Sequence, residues 1–127
     1  MLLGMGEHRV TVSFPAVPEY LRLARIATAD AASRAGLDYE EIDDVRIAVS
    51  ELCSVVSLDP TAVVTLVFHV NPGELVVEGE ARTGTAAIAA NELSIAILSA
   101  VADDHSISTT GGVTTFRVAK TSRQSTV

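Results

Sequence analysis

The residue with the clearest capacity for chemistry is Glu51. It is the single acidic side chain between Val45 and Val56, where apolar residues recur every three or four positions as in an amphipathic helix. A carboxylate there can accept a proton in a reaction, remain solvated, or pair with a neighbouring arginine. Val55 lies four positions later on the same helix face and has neither a donor nor an acceptor. The position four residues after Glu51 therefore offers it no second polar group.

The other residues that could bind a metal ion are scattered along the chain. The three histidines fall on different predicted elements without ligand spacing; they are His8, His69 and His105. Asp103 and Asp104 are adjacent, so they point to different sides of a helix end and indicate a polar terminus. The only cysteine, Cys53, excludes an internal disulfide and fits the apolar stripe of the helix as buried filler. We predict no metal site from these residues.

Composition limits the classes of function. The chain has 127 residues, enough for one sizeable core, and its 48% apolar and 20% charged residues are typical of a globular domain. Sixteen acidic residues against nine Lys and Arg give a net charge of −7 without a basic cluster, which argues against nucleic-acid binding. The acidic balance favours solubility, and it would also suit a partner with a basic surface.

The N-terminal residues do not resemble a targeting segment. Residues 1–6 lack the basic start and the apolar run of a signal peptide. No stretch approaches the roughly 20 apolar residues that a membrane span needs. The sequence therefore predicts a cytoplasmic protein without a membrane partner.

Hydrophobic periodicity and turn residues divide the first half of the chain into one strand and two helices. Residues 8–14 alternate apolar and polar side chains, as in a half-buried strand. A helix is predicted from Pro18, a favoured first residue, to the stop at Gly36. The spacing of Asp38 and Glu41 matches a capping box, which predicts the start of the second helix.

The second half is predicted to contain two hairpins and a third helix. Asn71-Pro72-Gly73 is a strong turn signal, and Gly111-Gly112 is a second turn. Asn91 can cap a helix that runs through Val101. The predicted strands are residues 61–70, 75–81, 105–109 and 113–119. The element order β-α-α-β-β-α-β-β predicts an α+β fold, a mostly antiparallel sheet with the helices on one face. We expect a single domain over residues 1–127 with an ordered core at about 8–120.

Three motifs carry a family resemblance through their order and spacing. They are Leu23-Ala-Arg25-Ile, Ile47-Ala-Val-Ser-Glu51-Leu, and the pair formed by residues 97–104 and 112–120. The set resembles the small anti-sigma-factor serine kinases of the RsbW and SpoIIAB type, within the GHKL (histidine-kinase-like, Bergerat) ATPase superfamily. The resemblance spans roughly residues 8–120. It implies a two-layer sandwich of about five mostly antiparallel strands with three helices on one face.

The resemblance implies roles for the matching residues. Glu51 would be the general base that accepts a proton from a serine hydroxyl. The implied nucleotide site consists of Glu51, Thr83, Gly84 and Thr114. Arg25, with Arg22 nearby, would contact the protein partner, and arginine is favoured at interface hot spots. From the residues alone, Arg25 could equally be an exposed helix cation among acidic neighbours.

Three family features that handle the nucleotide are missing. The asparagine that follows the catalytic glutamate by four residues and holds Mg²⁺ is replaced by Val55. The Asp-x-Gly motif, whose carboxylate binds the adenine amino group, corresponds to Ala81-Arg82-Thr83, with Glu80 adjacent. The glycine-rich lid is reduced to about nine residues, 82–90, without a Gly-x-Gly. We therefore expect no cofactor, with ATP and Mg²⁺ bound only if the site is functional.

These departures favour a binding module over an enzyme. The favoured hypothesis is an anti-sigma-factor-like regulator that sequesters a sigma factor and is released by a STAS-domain anti-anti-sigma antagonist. The family forms homodimers, so the resemblance implies a homodimer. The alternative is an active ATP-dependent protein serine kinase that phosphorylates the antagonist, with Glu51 as its base. A third hypothesis keeps the fold but assigns another partner, such as a receiver domain or another STAS protein.

Overall fold

The computed structural model describes residues 8–56, 61–82 and 92–123 and contains one five-stranded sheet with three α-helices. The strands are β1 (His8–Pro15), β2 (Val63–Asn71), β3 (Glu74–Arg82), β4 (Asp104–Thr110) and β5 (Val113–Thr121). The helices are α1 (Leu21–Arg34), α2 (Tyr39–Val56) and α3 (Glu92–Val101). The predicted α+β class and element order are confirmed.

The sheet is antiparallel throughout, in the order β1-β2-β3-β5-β4. β5 lies between β3 and β4, so the last hairpin joins the sheet through its second strand. Side chains alternate between the two faces of each strand. In β2 the buried set is Val64, Leu66, Phe68 and Val70. The three helices cover this face, and the opposite face carries mainly polar side chains such as Thr65 and Glu78.

The core lies between the helices and the covered face of the sheet. α2 contributes its large apolar stripe, including Val45, Val49, Leu52 and Val56, all fully buried. α1 buries small side chains: Ala24, Thr28, Ala31 and Ala32. Because small residues allow close approach, α1 packs tightly beside α2. This arrangement leaves the outer sides of α1 and α2 exposed.

Local signals determine the end of α1 and the start of α2. Gly36 follows α1 with a φ of 87°, which is the left-handed conformation that favours glycine after a helix. The capping box is confirmed, because Asp38 Oδ1 accepts from the Glu41 N–H and Glu41 Oε1 accepts from the Asp38 N–H, both at 2.8 Å.

The start of α1 differs from its prediction. Pro18–Tyr20 forms a single 3₁₀ turn, and the α-helix begins at Leu21. The Tyr20 N–H donates to the Val17 carbonyl at 3.0 Å, and Tyr20 has φ −92° and ψ 1°. This tight geometry is typical of a 3₁₀ turn at a helix N-terminus.

Candidate functional site

Glu51 connects α2 to α3. Its side chain is partly buried, and its Oε2 accepts a hydrogen bond from Ser94 Oγ at 2.5 Å. Ser94 is in the first turn of α3 and is 3% exposed. A hydrogen bond to a carboxylate is stronger than one between neutral groups. One oxygen of Glu51 is therefore engaged by a hydroxyl of its own chain.

Arg25 of α1 lies against α2 beside Ser50, the residue that precedes Glu51. Its Nε donates to Ser50 Oγ at 3.1 Å, which joins α1 to α2. Arg22 precedes it by one turn of α1 and is also exposed. The structure places both predicted partner-contact residues, Arg22 and Arg25, on the exposed side of α1.

A cavity of about 300 Å³ on the outer side of α2 brings the two groups of predicted residues together. It is lined by Arg25, Arg46, Ile47, Ser50 and Glu51. Arg46 Nη2 donates to Asp43 Oδ1 at 2.6 Å. The cavity therefore has two guanidinium groups and one carboxylate in its walls. Sequence reasoning missed Arg46, Ile47 and Ser50, although their spacing does place them on the polar side of the helix.

The remaining nucleotide-site predictions have different outcomes. Thr114 is fully buried on β5, and its hydroxyl hydrogen-bonds to that of Thr109 at 2.8 Å across the β4–β5 pair. Thr83 and Gly84 lie outside the described residues. The Glu51 and Ser94 pair was not anticipated, because a serine in an apolar helix carries no signal of its distant partner.

In the stretch that corresponds to the adenine-binding motif, the only nearby carboxylate, that of Glu80, lies on the opposite face of β3 from Ala81. Ala81 is 1% exposed and points into the core. Glu80 alternates to the other face of β3, where it lines a cavity with Thr65 and Thr115. Glu80 therefore cannot replace a carboxylate at position 81. On α2, Val55 offers no ligand at the position where the resemblance implies a Mg²⁺-binding asparagine, so this position does not fit Mg²⁺ in the family manner.

Two other potentially reactive side chains, those of Cys53 and His69, are respectively buried and paired with a neighbour. Burial raises the pKa of the Cys53 thiol to about 12, so it stays protonated. His69 Nε2 lies 2.6 Å from Glu78 Oε1 on the polar face of the sheet. Within residues 8–56, 61–82 and 92–123, no three His, Cys, Asp or Glu side chains are grouped closely enough to hold a metal ion.

None of the three described helices combines the length and apolar character needed to cross a membrane.

The profile of the histidine kinase-like ATPase domain matches residues 14–120, which is most of the chain. The chain belongs to this family. It is also similar to the serine-protein kinase RsbW of Listeria monocytogenes, with 51% identity over 43 residues. These cover 34% of this chain and 27% of the relative. The matching protein of Bacillus subtilis is 44% identical over 45 residues, 35% of this chain and 28% of the relative. The aligned stretch thus spans about a quarter of these curated relatives.

A solved structure of RsbU and RsbW domains from Mycobacterium tuberculosis has the same fold. It superposes with a TM-score of 0.67 at 18% sequence identity, covering 88% of this chain and 32% of that one. The family match confirms the predicted membership of the histidine kinase-like ATPases, and the superposition confirms the two-layer architecture. The departures at Val55 and Ala81 are therefore departures within the family.

Proposed function

We propose that this chain is an anti-sigma-factor-like regulator that sequesters a sigma factor and has weakened or lost its kinase activity. The observation that carries the proposal is what α2 has at positions 51 and 55. Glu51 accepts a hydrogen bond from Ser94 at 2.5 Å, and Val55 occupies the position of the magnesium-binding asparagine. The residue of the family's catalytic base is thus kept, but it works as a contact between two helices.

The chemistry of phosphoryl transfer supports the loss of kinase activity. Such catalysis consists mainly of positioning and electrostatic stabilisation, with Mg²⁺ neutralising the charge on the phosphates. When bound, Mg²⁺ and ATP would supply the transferred group and that neutralisation. Val55 cannot ligate a hard cation, and Glu80 faces away from the covered side of the sheet. A base alone provides little catalysis without a positioned phosphate.

The partner assignments follow from the family and from the exposed helices. Arg22 and Arg25 lie on the open side of α1, and arginine is favoured at interface hot spots. We propose that they contact the sigma factor and that a STAS-domain antagonist releases it by competition. A cytoplasmic homodimer is the corresponding assembly.

Nucleotide titration is the first test. The purified protein is titrated with ATP and with ADP, each with Mg²⁺, by calorimetry and by thermal melting. We expect neither heat nor a rise in melting temperature up to about millimolar nucleotide. A ligand that binds only the native state must raise the melting temperature, so an unchanged value reports that no nucleotide binds. A Val55→Asn variant in parallel shows whether that one position limits binding. Micromolar, Mg²⁺-dependent binding by the wild-type protein would contradict the loss of the site.

Partner capture is the second test. Purified sigma factors of the source organism are titrated one at a time, with the STAS-domain protein as competitor. Arg25→Glu is expected to weaken the complex about tenfold or more, as for a charged hot-spot residue. Unchanged affinity of that variant would remove Arg25 from the interface.

A further inference from the structure

The exposed side of α3 is apolar. Its residues recur at the spacing i, i+3, i+4 and i+7, which places them in one line along a helix; they are Leu93, Ala96, Ile97 and Ala100, here called the α3 stripe. Leu93 is 69% exposed, both alanines are exposed, and Ile97 is half-buried. A helix at the surface usually has polar residues on its outer side, so an apolar stripe there indicates a surface for contact with another protein.

The α3 stripe is also free of charge, unlike the rest of the helical layer. α1 and α2 each have several charged side chains, whereas α3 has one, Glu92 at its start. Two copies of a chain with a net charge of −7 repel each other. Contact through the α3 stripe brings no charged side chains of the two copies face to face, so it adds little to that repulsion.

We propose, on the basis of the homodimer in the proposed function, that two copies of this chain meet through the α3 stripe. The two α3 helices pack antiparallel about a two-fold axis that passes between positions 96 and 97. Leu93 then lies opposite Ala100 of the partner subunit, and Ala96 lies opposite Ile97 of the partner subunit. Each large side chain faces a small one, so the stripe is complementary to itself, as a two-fold interface requires.

The ends of α3 are compatible with this packing. Alanines in the contact let two helices approach closely, and helices packed in this way commonly cross at about 50°, so their ends diverge. At the C-terminal end, Asp103 Oδ2 accepts a hydrogen bond from the Thr121 N–H at 2.6 Å, and Asp104 pairs with Arg117 at 2.9 Å. Both carboxylates are therefore engaged within their own chain.

The length of α3 limits the strength of the contact. A helix of 10 residues is about 15 Å long, so one pair of such helices buries less than the roughly 800 Å² per partner of a standard interface. We therefore expect a dimer that depends on concentration, with a dissociation constant in the micromolar range.

Sedimentation equilibrium of the purified chain, from micromolar to submillimolar concentration, measures this dissociation constant. Leu93→Asp places a carboxylate of each copy in the contact and is expected to weaken the dimer about tenfold or more. The matched control is Ile95→Asp. Ile95 is 47% exposed on the same helix, but it is two residues from Leu93 and so lies on a different side of α3. Its substitution should change the dissociation constant by less than about twofold.

Both aspartates are near the start of α3, where a helix tolerates a negative charge, and thermal melting verifies that each variant is folded. Raising the salt concentration should strengthen the wild-type dimer, because salt screens the repulsion between the two acidic chains and the stripe has no ion pairs to lose. A dimer that weakens with salt would contradict contact through an uncharged stripe.

An exchange of sizes tests the pairing of Leu93 with Ala100 of the partner subunit. Ala100→Leu alone sets leucine against leucine and is expected to weaken the dimer about tenfold. Adding Leu93→Ala restores one large and one small side chain at each contact, so the double variant should return to within about threefold of wild type. If Ala100→Leu strengthened the dimer, only general apolar attraction would be present and the antiparallel pairing would be overturned.

The outcomes separate this inference from the function on which it rests. If the wild-type chain dimerises but Leu93→Asp and Ile95→Asp have equal effects, the contact through the α3 stripe is overturned and the homodimer stands. If the wild-type chain stays monomeric at submillimolar concentration, the homodimer and this inference both fail. Sequestration of a sigma factor is decided separately, by titration of the wild-type chain.

Discussion

At the residue scale, Glu41 is a fully buried carboxylate at the start of α2. Its Oε1 accepts from the Asp38 N–H at 2.8 Å, and its Oε2 accepts from the Arg123 N–H at 2.7 Å and from Arg123 Nε at 3.2 Å. Burial by itself raises the pKa of Glu41, but these hydrogen bonds and the charge of Arg123 outweigh it and lower the pKa below its ordinary value. The carboxylate therefore ties the end of β5 to the start of α2.

This lowered pKa predicts a specific pH dependence of stability. A group whose folded pKa is depressed stabilises the protein above its unfolded pKa, and the stabilisation is lost as pH falls through the folded pKa. Glu41→Gln should lower the free energy of unfolding by about 1–3 kcal/mol at neutral pH. The difference from wild type should narrow between about pH 5 and pH 3. Urea denaturation across this range measures it.

The neighbouring residue supplies the control for this prediction. Glu40 Oε1 lies 3.6 Å from Arg123 Nη2, but its side chain is 77% exposed. Glu40→Gln should therefore change the free energy of unfolding by less than about 1 kcal/mol at every pH. Equal effects of the two substitutions would show that burial of Glu41 is not the cause.

A second residue-scale prediction concerns Gly79. It pairs with Phe116 across β3 and β5, and a Cβ atom at position 79 would overlap the Phe116 ring. Phe116 is 3% exposed, so its ring has little room to move. Gly79→Ala should lower the free energy of unfolding by about 1–3 kcal/mol in urea denaturation. In a Phe116→Leu background, Gly79→Ala should lower the free energy of unfolding by much less. An equal loss in both backgrounds would exclude overlap with the Phe116 ring as the cause.

At the element scale, polar contacts hold α3 to its neighbours. Ser94 at its start donates to Glu51 of α2. At its end, Lys120 Nζ of β5 donates to the Val101 carbonyl at 2.9 Å and to Asp44 Oδ2 of α2 at 3.1 Å. α3 buries few side chains, Ser94 and Leu98. The packing of α3 against the rest of the protein therefore depends on these hydrogen bonds more than the packing of α1 or α2 depends on polar contacts.

Hydrogen exchange tests this dependence. Ser94→Ala leaves the Glu51 carboxylate without its donor from α3, which should cost about 1–3 kcal/mol. We expect amide exchange of residues 92–101 to accelerate more than that of α1, because the loss affects local opening. Ser99→Ala is the matched control, since Ser99 is exposed on the same helix and its hydroxyl makes only a long, exposed contact of 3.4 Å with His105 Nε2. If Ser94→Ala and Ser99→Ala accelerated amide exchange of residues 92–101 to a similar extent, the cause would be a change in helix propensity and not the loss of the bond to Glu51.

At the scale of the whole molecule, one core joins the sheet and the helices. The buried cluster runs from Phe14 of β1 through Val49 of α2 to Val118 of β5. Cys53 lies within it at 0% exposure, and burial raises its pKa to about 12. The thiol is therefore shielded both from reagents and from ionisation. The single-domain assignment over residues 1–127 stays a prediction.

Thiol labelling reports whether the core opens as one unit. In the native protein Cys53 should react with an aromatic disulfide reagent orders of magnitude more slowly than in denaturant. The destabilising Gly79→Ala substitution, on a different element, should accelerate labelling in proportion to its loss of stability if opening is global. Rapid labelling of the native wild-type protein would contradict a single cooperative core.

The sequence by itself determined the elements, the end of α1 and the start of α2, because these depend on residues close together in the chain. Period-two alternation predicted the buried face of β2, Gly36 the end of α1, and the Asp38 and Glu41 spacing the capping box, all confirmed. The α+β class followed from the order of the elements, and the family from the resemblance of three motifs. The 3₁₀ turn at Pro18 was missed because proline favours either kind of helical turn at this position.

Only the tertiary structure decided which distant side chains meet. Glu51 and Ser94 are 43 positions apart, and Glu41 and Arg123 are 82 apart. Such pairs depend on the packing of helices over the sheet and on the place of β5 between β3 and β4, which local patterns do not encode. The net charge of −7 favoured a basic partner, but folding collects Arg22, Arg25 and Arg46 on one surface. Composition averages over positions, whereas recognition depends on where the fold places each charge.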